Sequence, residues 1–148
     1  MKRIFLIFLI MILLCGCNSK KSIANLDIKQ AGIALDEKYT NMTAMDKTEL
    51  EVIYGLNTSL MEEYVIKSST LTNGNFYALI KVDSSNKSQV QNDMKEMFNI
   101  MEKQSNLYSA QAVSLIKNHL ETSVGNYLIY IVSENNSEMY NIISEYIK

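Results

Sequence analysis

The stretch that decides the fold is FYALIKV, residues 76–82, together with its counterpart YLIYIV, residues 127–132. Both runs are rich in β-branched and aromatic residues, which is typical of β-strands. Each follows a turn signal, Asn73-Gly74 before the first and Gly125-Asn126 before the second. Both have apolar residues at odd and at even positions, whereas the strands of a sheet with one solvent-exposed face alternate between apolar and polar residues. They therefore predict the return strands of two β-hairpins in a sheet that is covered on both faces.

The segments around these strands complete an α+β domain. The outgoing strands are predicted over residues 64–71 and 119–124. Apolar residues at helical spacing predict helices from Ile28, between Asp46 and Gly55, over 109–118 and at the C-terminus, where Asn135 is the expected cap. Another apolar helical stripe lies between the hairpins, at Val90, Met94, Met97, Phe98 and Met101. We expect two hairpins forming a four-stranded antiparallel sheet with amphipathic helices packed on it.

The two hairpins resemble one another. Gly74-Asn75-Phe76-Tyr77 and Gly125-Asn126-Tyr127-Leu128 each open a return strand that is followed by an amphipathic helix. This similarity is compatible with a diverged ββα repeat. It is equally compatible with two unrelated hairpins that both use Gly and Asn in the turn, which is the interpretation we favour.

The second sheet face needs a cover. Helices between residues 28 and 55 are the favoured cover, and a partner or ligand is the alternative. If that face is used for binding, the interaction residues are predicted to be Tyr77, Leu79, Leu128 and Tyr130, because tyrosine is enriched at interfaces.

The N-terminus has the architecture of a bacterial lipoprotein signal. Lys2 and Arg3 precede an apolar run, Ile4–Leu14, that is too short to span a bilayer. The run ends in Leu14-Cys15-Gly16-Cys17, which resembles a lipobox. That resemblance implies cleavage after Gly16 and lipid attachment at Cys17. We expect residues 1–16 to be a signal peptide, 17–26 a polar tether and 27–148 a single α+β domain.

Composition narrows the function further. Both cysteines lie in the leader region, so the domain has no disulfide. Without Lys2 and Arg3 the chain carries 12 basic and 16 acidic residues, a net charge of −4 with no basic stripe. Nucleic-acid binding is therefore not expected.

The sequence contains no recognised catalytic motif. His119 is the single histidine, and it is interpreted as a helix-end residue. Met94, Met97 and Met101 are interpreted as core residues rather than copper ligands. Glu62 and Glu63 are neighbours that we expect to point apart. No enzyme activity, cofactor or metal is expected.

Three stretches carry a resemblance to a known group of proteins: Ile53-Tyr54-Gly55-Leu56, Leu60–Tyr64, and Gly125-Asn126-Tyr127-Leu128 with Ile131-Val132-Ser133. They resemble small lipoproteins of low-GC Gram-positive bacteria that carry a single domain of unknown function. The resemblance covers roughly residues 46–134. It implies a lipid anchor and one α+β domain, with no catalytic residues.

These observations predict an extracytoplasmic protein anchored by lipid to the cell membrane. We expect a non-catalytic interaction module with an envelope protein as partner. The alternative is a small-molecule-binding lipoprotein with a pocket between sheet and helices. The sequence leaves the partner, the ligand and the oligomeric state open.

Replacing Cys17 with serine tests the anchor. We expect the Cys17→Ser protein to remain unprocessed or to be shed into the medium, because two acyl chains are needed for firm attachment. Cell fractionation and mass spectrometry of the N-terminal peptide measure this. The Cys15→Ser variant is the matched control and should stay in the membrane. A Cys17→Ser protein of mature size in the membrane would contradict the assignment.

Overall fold

The structure is a computed structural model that describes residues 24–69 and 74–148. In these residues it contains four α-helices and one five-stranded antiparallel sheet. The helices are α1 (Ile28–Lys38), α2 (Lys87–Ser105), α3 (Ala110–Lys117) and α4 (Asn136–Ser144). The strands are β1 (Thr43–Ala44), β2 (Met61–Ser68), β3 (Phe76–Val82), β4 (Leu120–Val124) and β5 (Tyr127–Val132). The predicted α+β class is confirmed.

The sheet has five strands in the order β1-β2-β3-β5-β4, one strand more than the four predicted. The additional strand is β1, where Thr43 and Ala44 pair with Ser68 and Lys67. Two residues are too few to produce a detectable alternation of apolar and polar side chains. The four longer strands form the two predicted hairpins, and β3 pairs with β5 at the centre.

The return strands β3 and β5 have the predicted bounds, whereas the outgoing strands differ. β2 begins at Met61 rather than Tyr64, and β4 begins at Leu120 rather than His119. Asn73 of the first predicted turn lies outside the described residues. Gly74 and Gly125 have φ values of 67° and 56°, the left-handed conformation that their turns require.

Both faces of the sheet are buried, as the apolar pattern predicts. On the first face, Ala78 and Tyr130 belong to a core shared with α2, α3 and residues 45–56. On the second face, Tyr77 and Ile129 belong to a core shared with α1 and α4. The predicted cover over residues 28–55 is therefore divided. Its helix α1 lies on one face, while the short helical segment at Glu49–Ile53 lies on the other.

Glycine has a low helix propensity, yet Gly32 lies within α1. The close packing of α1 on β2 explains its presence there. A Cβ atom at Gly32 would lie only 3.3 Å from Cγ1 of Val65. The glycine therefore permits the close approach of this helix to the sheet. Asp27 caps the helix N-terminus by accepting a hydrogen bond from the amide of Gln30 at 3.1 Å.

The arrangement of helices favours two unrelated hairpins over a ββα repeat. Antiparallel strands such as β3 and β5 can be related by a two-fold axis perpendicular to the sheet. Such an axis would place the helices that follow them on one face. Instead, α2 contributes Met94 to the first core and α4 contributes Met139 to the second.

The sheet has two opposite ends. We name one the amino-terminal pole, because the chain enters the fold there, and the other the cleft pole, because a polar cleft lies there. At the amino-terminal pole, Leu26 bridges Ile147 and Asn25 accepts a hydrogen bond from the hydroxyl of Tyr127. At the cleft pole, β3 begins at Phe76 and β5 ends at Val132. The six residues of β5 separate the two poles by about 17 Å.

Candidate functional site

The four predicted interaction residues do not form an exposed face. Tyr77, Leu79 and Leu128 are 0 % exposed and Tyr130 is 1 % exposed. Tyr77 and Leu79 lie in the second core, whereas Leu128 and Tyr130 lie in the first. The cross-strand register explains this division, because Tyr130 opposes Ala78 and Tyr77 opposes Ile131. All four are core residues in this structure.

Tyr77 is part of a polar network beneath α1. Its hydroxyl donates a hydrogen bond to Oδ1 of Asp36 at 3.0 Å, and Asp36 forms an ion pair with Lys67. Burial raises the pKa of Tyr77 far above its ordinary value, and the Asp36 carboxylate raises it further. The network satisfies a buried hydroxyl and fixes α1 on the sheet.

Tyr130 has the corresponding environment on the other face. Its hydroxyl contacts Oε1 of Glu121 at 3.4 Å, and its ring lies 5.8 Å from that of Phe98. Burial raises the pKa of Tyr130, and the nearby Glu121 carboxylate raises it further. Both tyrosines are therefore held as neutral, packed side chains.

His119 is held at the end of α3. Its Nδ1 atom donates to the carbonyl of Ile116 at 2.7 Å, and its ring stacks on Phe98 with centroids 4.1 Å apart. This matches the prediction of a helix-end residue. The stacking packs the imidazole against the buried ring of Phe98.

The other chemical candidates also have structural explanations. Met94 and Met97 are fully buried beneath the sheet, as predicted. Glu62 pairs with Lys81 at 3.0 Å and Glu63 pairs with Lys29 at 3.5 Å, so the two glutamates point apart. Within residues 24–69 and 74–148, no group of three or more acidic, histidine or cysteine side chains could hold a metal ion.

The predicted lipid attachment site, Cys17, lies outside the described residues, as does the whole predicted signal peptide. Among the helices that the structure describes, none has the length and apolar character needed to cross a bilayer.

A polar cleft lies at the cleft pole of the sheet. It has a volume of about 360 Å³ and is bordered by the ends of α1 and β5, the start of β3, and the first turns of α3 and α4. Its lining consists of amides, carboxylates, one serine and one tyrosine: Tyr39, Asn75, Gln111, Ser133, Glu134, Asn135 and Glu138.

Helix capping fixes much of this lining. Asn135 caps α4 by accepting a hydrogen bond from the amide of Glu138 at 3.1 Å, as the sequence predicts. Oγ of Ser133 accepts from the amide of Asn135 at 3.0 Å. From the facing helix α3, Gln111 donates through Nε2 to Oε1 of Glu134 at 2.6 Å. The cleft is therefore positioned by the same contacts that begin these helices.

An ion pair closes the opposite side of the cleft. Nζ of Lys38 lies 2.5 Å from Oε1 of Glu138. This contact lowers the pKa of Glu138 and raises that of Lys38. The pKa of Tyr39 is also raised, first by burial and then by the Glu138 carboxylate. The pair ties the end of α1 to the start of α4.

Sequence reasoning did not find this cleft. Its residues come from four separate stretches of the chain, at Tyr39, Asn75, Gln111 and 133–138, and no local pattern connects these stretches to one another. The one available signal was the polar run Ser133-Glu134-Asn135, where an apolar strand gives way to a helix cap. That signal identifies a connection between elements but does not reveal which other segments meet it.

Comparison with known proteins identifies a family but no activity. The family model described as Domain of unknown function (DUF4358) matches residues 35–133, about two thirds of the chain. The match includes most of the cleft lining and ends just before Glu134. No curated protein and no solved structure matches the chain significantly.

Buried tyrosines should make the protein sensitive to alkaline pH. A tyrosine whose pKa is raised by folding stabilises the native state fully at pH values below the ordinary phenol pKa of about 10. This contribution to the free energy of unfolding is lost as the pH rises further. Each such group contributes a slope of up to about 1.4 kcal/mol per pH unit. We expect Tyr77→Phe and Tyr130→Phe to reduce the alkaline loss of unfolding free energy.

Urea unfolding measured at several pH values above 9 tests this expectation. Tyr108, which is 69 % exposed, provides the control, and Tyr108→Phe should leave the slope unchanged. Equal slopes for all three variants and the parent protein would contradict the burial of Tyr77 and Tyr130.

Proposed function

The chain belongs to the family described as Domain of unknown function (DUF4358), and we propose that it is a lipid-anchored, non-catalytic recognition module of the cell envelope. In this proposal Cys17 carries the lipid. The polar cleft at the cleft pole binds an envelope component on the extracytoplasmic side of the membrane.

The leader supports the anchored location. Two basic residues, the short apolar run Ile4–Leu14 and the Leu14–Cys17 stretch follow one another in the order of a lipoprotein signal. Between Cys17 and the first bridged residue, Leu26, the chain is mostly small and polar. Such a segment suits a tether that connects a membrane anchor to a folded domain.

The observation that carries the proposal is the separation of the two poles. The chain enters the fold at Asn25 and Leu26, at the amino-terminal pole. Gln111, Glu134 and the other cleft residues lie at the opposite pole. In a domain held by its N-terminus, the cleft would therefore lie on the side opposite the point of attachment, where a ligand can reach it.

The cleft suits a small polar ligand better than an apolar one. Its volume of about 360 Å³ falls within the usual range of ligand sites, roughly 300–1,000 Å³. The lining offers side-chain donors and acceptors from Asn75, Gln111 and Asn135. In contrast, core side chains fill most of the space on both sheet faces, so this proposal places the site at the end of the sheet rather than between sheet and helices.

The non-catalytic part of the proposal rests on how the reactive groups are used. Residues 18–148 contain no cysteine, and their single histidine, His119, is bound to a carbonyl and stacked on a phenylalanine. The cleft carboxylates of Glu134 and Glu138 are each engaged by a neighbouring side chain. Such contacts favour a fixed binding surface over proton transfer.

A protein partner is a second candidate ligand. The connection between α2 and α3 exposes Leu107 and Tyr108 at 75 % and 69 %. They immediately precede Ser109, the residue that caps the helix bearing Gln111. Exposed aromatic and aliphatic side chains beside a polar cleft are typical of protein interfaces.

The orientation can be measured on vesicles. The protein would be anchored through its native lipid and labelled with a fluorophore at an introduced cysteine, Glu62→Cys or Gln111→Cys. Both positions are exposed, but Glu62 lies at the amino-terminal pole and Gln111 at the cleft pole. We expect spin-labelled lipids to quench the label at position 62 more strongly. Equal or reversed quenching would contradict the orientation.

Ligand binding can be tested by thermal shift of the mature protein in detergent. The probes would be neutral oligosaccharides, short peptides, amines and inorganic phosphate. A ligand at 100 times its Kd should stabilise the protein by about 2.7 kcal/mol. We expect Gln111→Ala to remove this stabilisation.

Gln89→Ala is the matched control for that experiment. Gln89 donates to Asp93 at 2.7 Å in the first turn of α2, just as Gln111 donates to Glu134 in the first turn of α3. Stabilisation that persists in Gln111→Ala, or that is lost equally in both variants, would argue against the cleft as the site.

A further inference from the structure

We propose that the cleft selects ligands that carry a primary ammonium group. This inference rests on the proposed function, because it assumes that the cleft is a binding site. It adds the chemical class of the ligand, which follows from how charge is distributed among the lining residues.

The cleft contains two carboxylates but only one of them is neutralised. Glu138 is paired with the ammonium group of Lys38 at 2.5 Å. Glu134 accepts a hydrogen bond from the uncharged amide of Gln111 at 2.6 Å and has no ion pair within the described residues. Glu134 is therefore the one lining residue whose negative charge a ligand can compensate.

Cations on neighbouring elements are already engaged elsewhere. Lys67 on β2 pairs with Asp36, and Lys117 at the end of α3 pairs with Glu102 at 3.2 Å. The lining itself contains no lysine or arginine. A ligand ammonium group would consequently meet little competition for the Glu134 carboxylate.

The two helix N-termini at the cleft do not make it an anion site. The amide of Glu138 in α4 is bound by Asn135, and the amide of Ala112 in α3 is bound by Oγ of Ser109 at 3.1 Å. These caps occupy donors that would otherwise hold an anion. An anionic ligand would also face the uncompensated carboxylate of Glu134.

The remaining lining can bind the neutral part of such a ligand. The side chains of Asn75, Ser133 and Asn135 supply hydrogen-bonding groups for hydroxyls or amides. Two kinds of envelope molecule combine these groups with a primary amine, an amino sugar and the amino terminus of a peptide. Their shared chemistry is an ammonium group flanked by polar groups.

Matched pairs of probes test the inference by isothermal titration of the mature protein in detergent. Glucosamine is compared with glucose, and alaninamide with N-acetyl-alaninamide, so that each pair differs in the charged amine. We expect the amine of at least one pair to bind about tenfold or more tightly than its neutral counterpart. The pair that shows this preference identifies the sugar or the peptide as the source.

The variant Glu134→Gln should abolish the preference, because it keeps the hydrogen-bonding shape and removes the charge. Glu96→Gln is the matched control: Glu96 is also exposed and also accepts from a side-chain amide, that of Asn99 at 3.3 Å. The Glu96→Gln variant should prefer the amine probes to the same extent as the parent protein. Thermal unfolding without ligand checks that both variants are folded.

Three results would overturn the inference. If amine and neutral probes bind equally and Gln111→Ala weakens both, the cleft is a site without selectivity for amines, and the proposed function stands. If phosphate binds more tightly than either amine, the cleft is an anion site. If the thermal shift panel and both probe pairs show no binding, the inference fails together with the proposed cleft function.

Discussion

The burial of two central strands on both faces is the constraint on which the rest of the structure depends. In β3 and β5 almost every side chain is apolar, whichever way it points. Exposing either face would leave a large apolar surface in water, which is unfavourable by about 25 cal/mol for each Å². Helices must therefore cover both faces, with α2 and α3 on one and α1 and α4 on the other. The three-layer arrangement follows from this requirement.

Filling both faces also explains why the polar cleft lies at an end of the sheet. Core side chains occupy most of the space between sheet and helices, so the ends of the sheet remain for polar groups. At one end the chain enters beside Tyr127, and at the other the caps of α3 and α4 converge with the end of α1. The cleft is lined by residues that begin or end helices, such as Tyr39 and Asn135. Its polarity follows from their position, because the unpaired backbone groups of helix ends require polar partners.

The predictions succeeded where a local pattern carries the information. The bounds of β3 and β5, the stripe of α2 and the Asn135 cap are all set by residues close together in sequence. The predictions were incomplete where a feature depends on contacts between residues that are far apart in sequence. Tyr77 and Tyr130 were assigned to one face, but alternation within a strand does not specify the register between strands. The strand β1 was missed because two residues are too few for a pattern, and the cleft was missed because it joins four stretches that are far apart in sequence.

By itself the sequence determined that this chain forms an α+β domain with two hairpins and a doubly covered sheet. It also determined that the domain must be stable without disulfides. These properties depend on side-chain periodicity and composition, which are read along the chain. The tertiary structure alone decided which helix covers which face, that Tyr77 and Tyr130 are buried on opposite sides, and that Gln111 meets Glu134. Those outcomes depend on strand register and helix packing, in which residues far apart in sequence select one another by shape and charge.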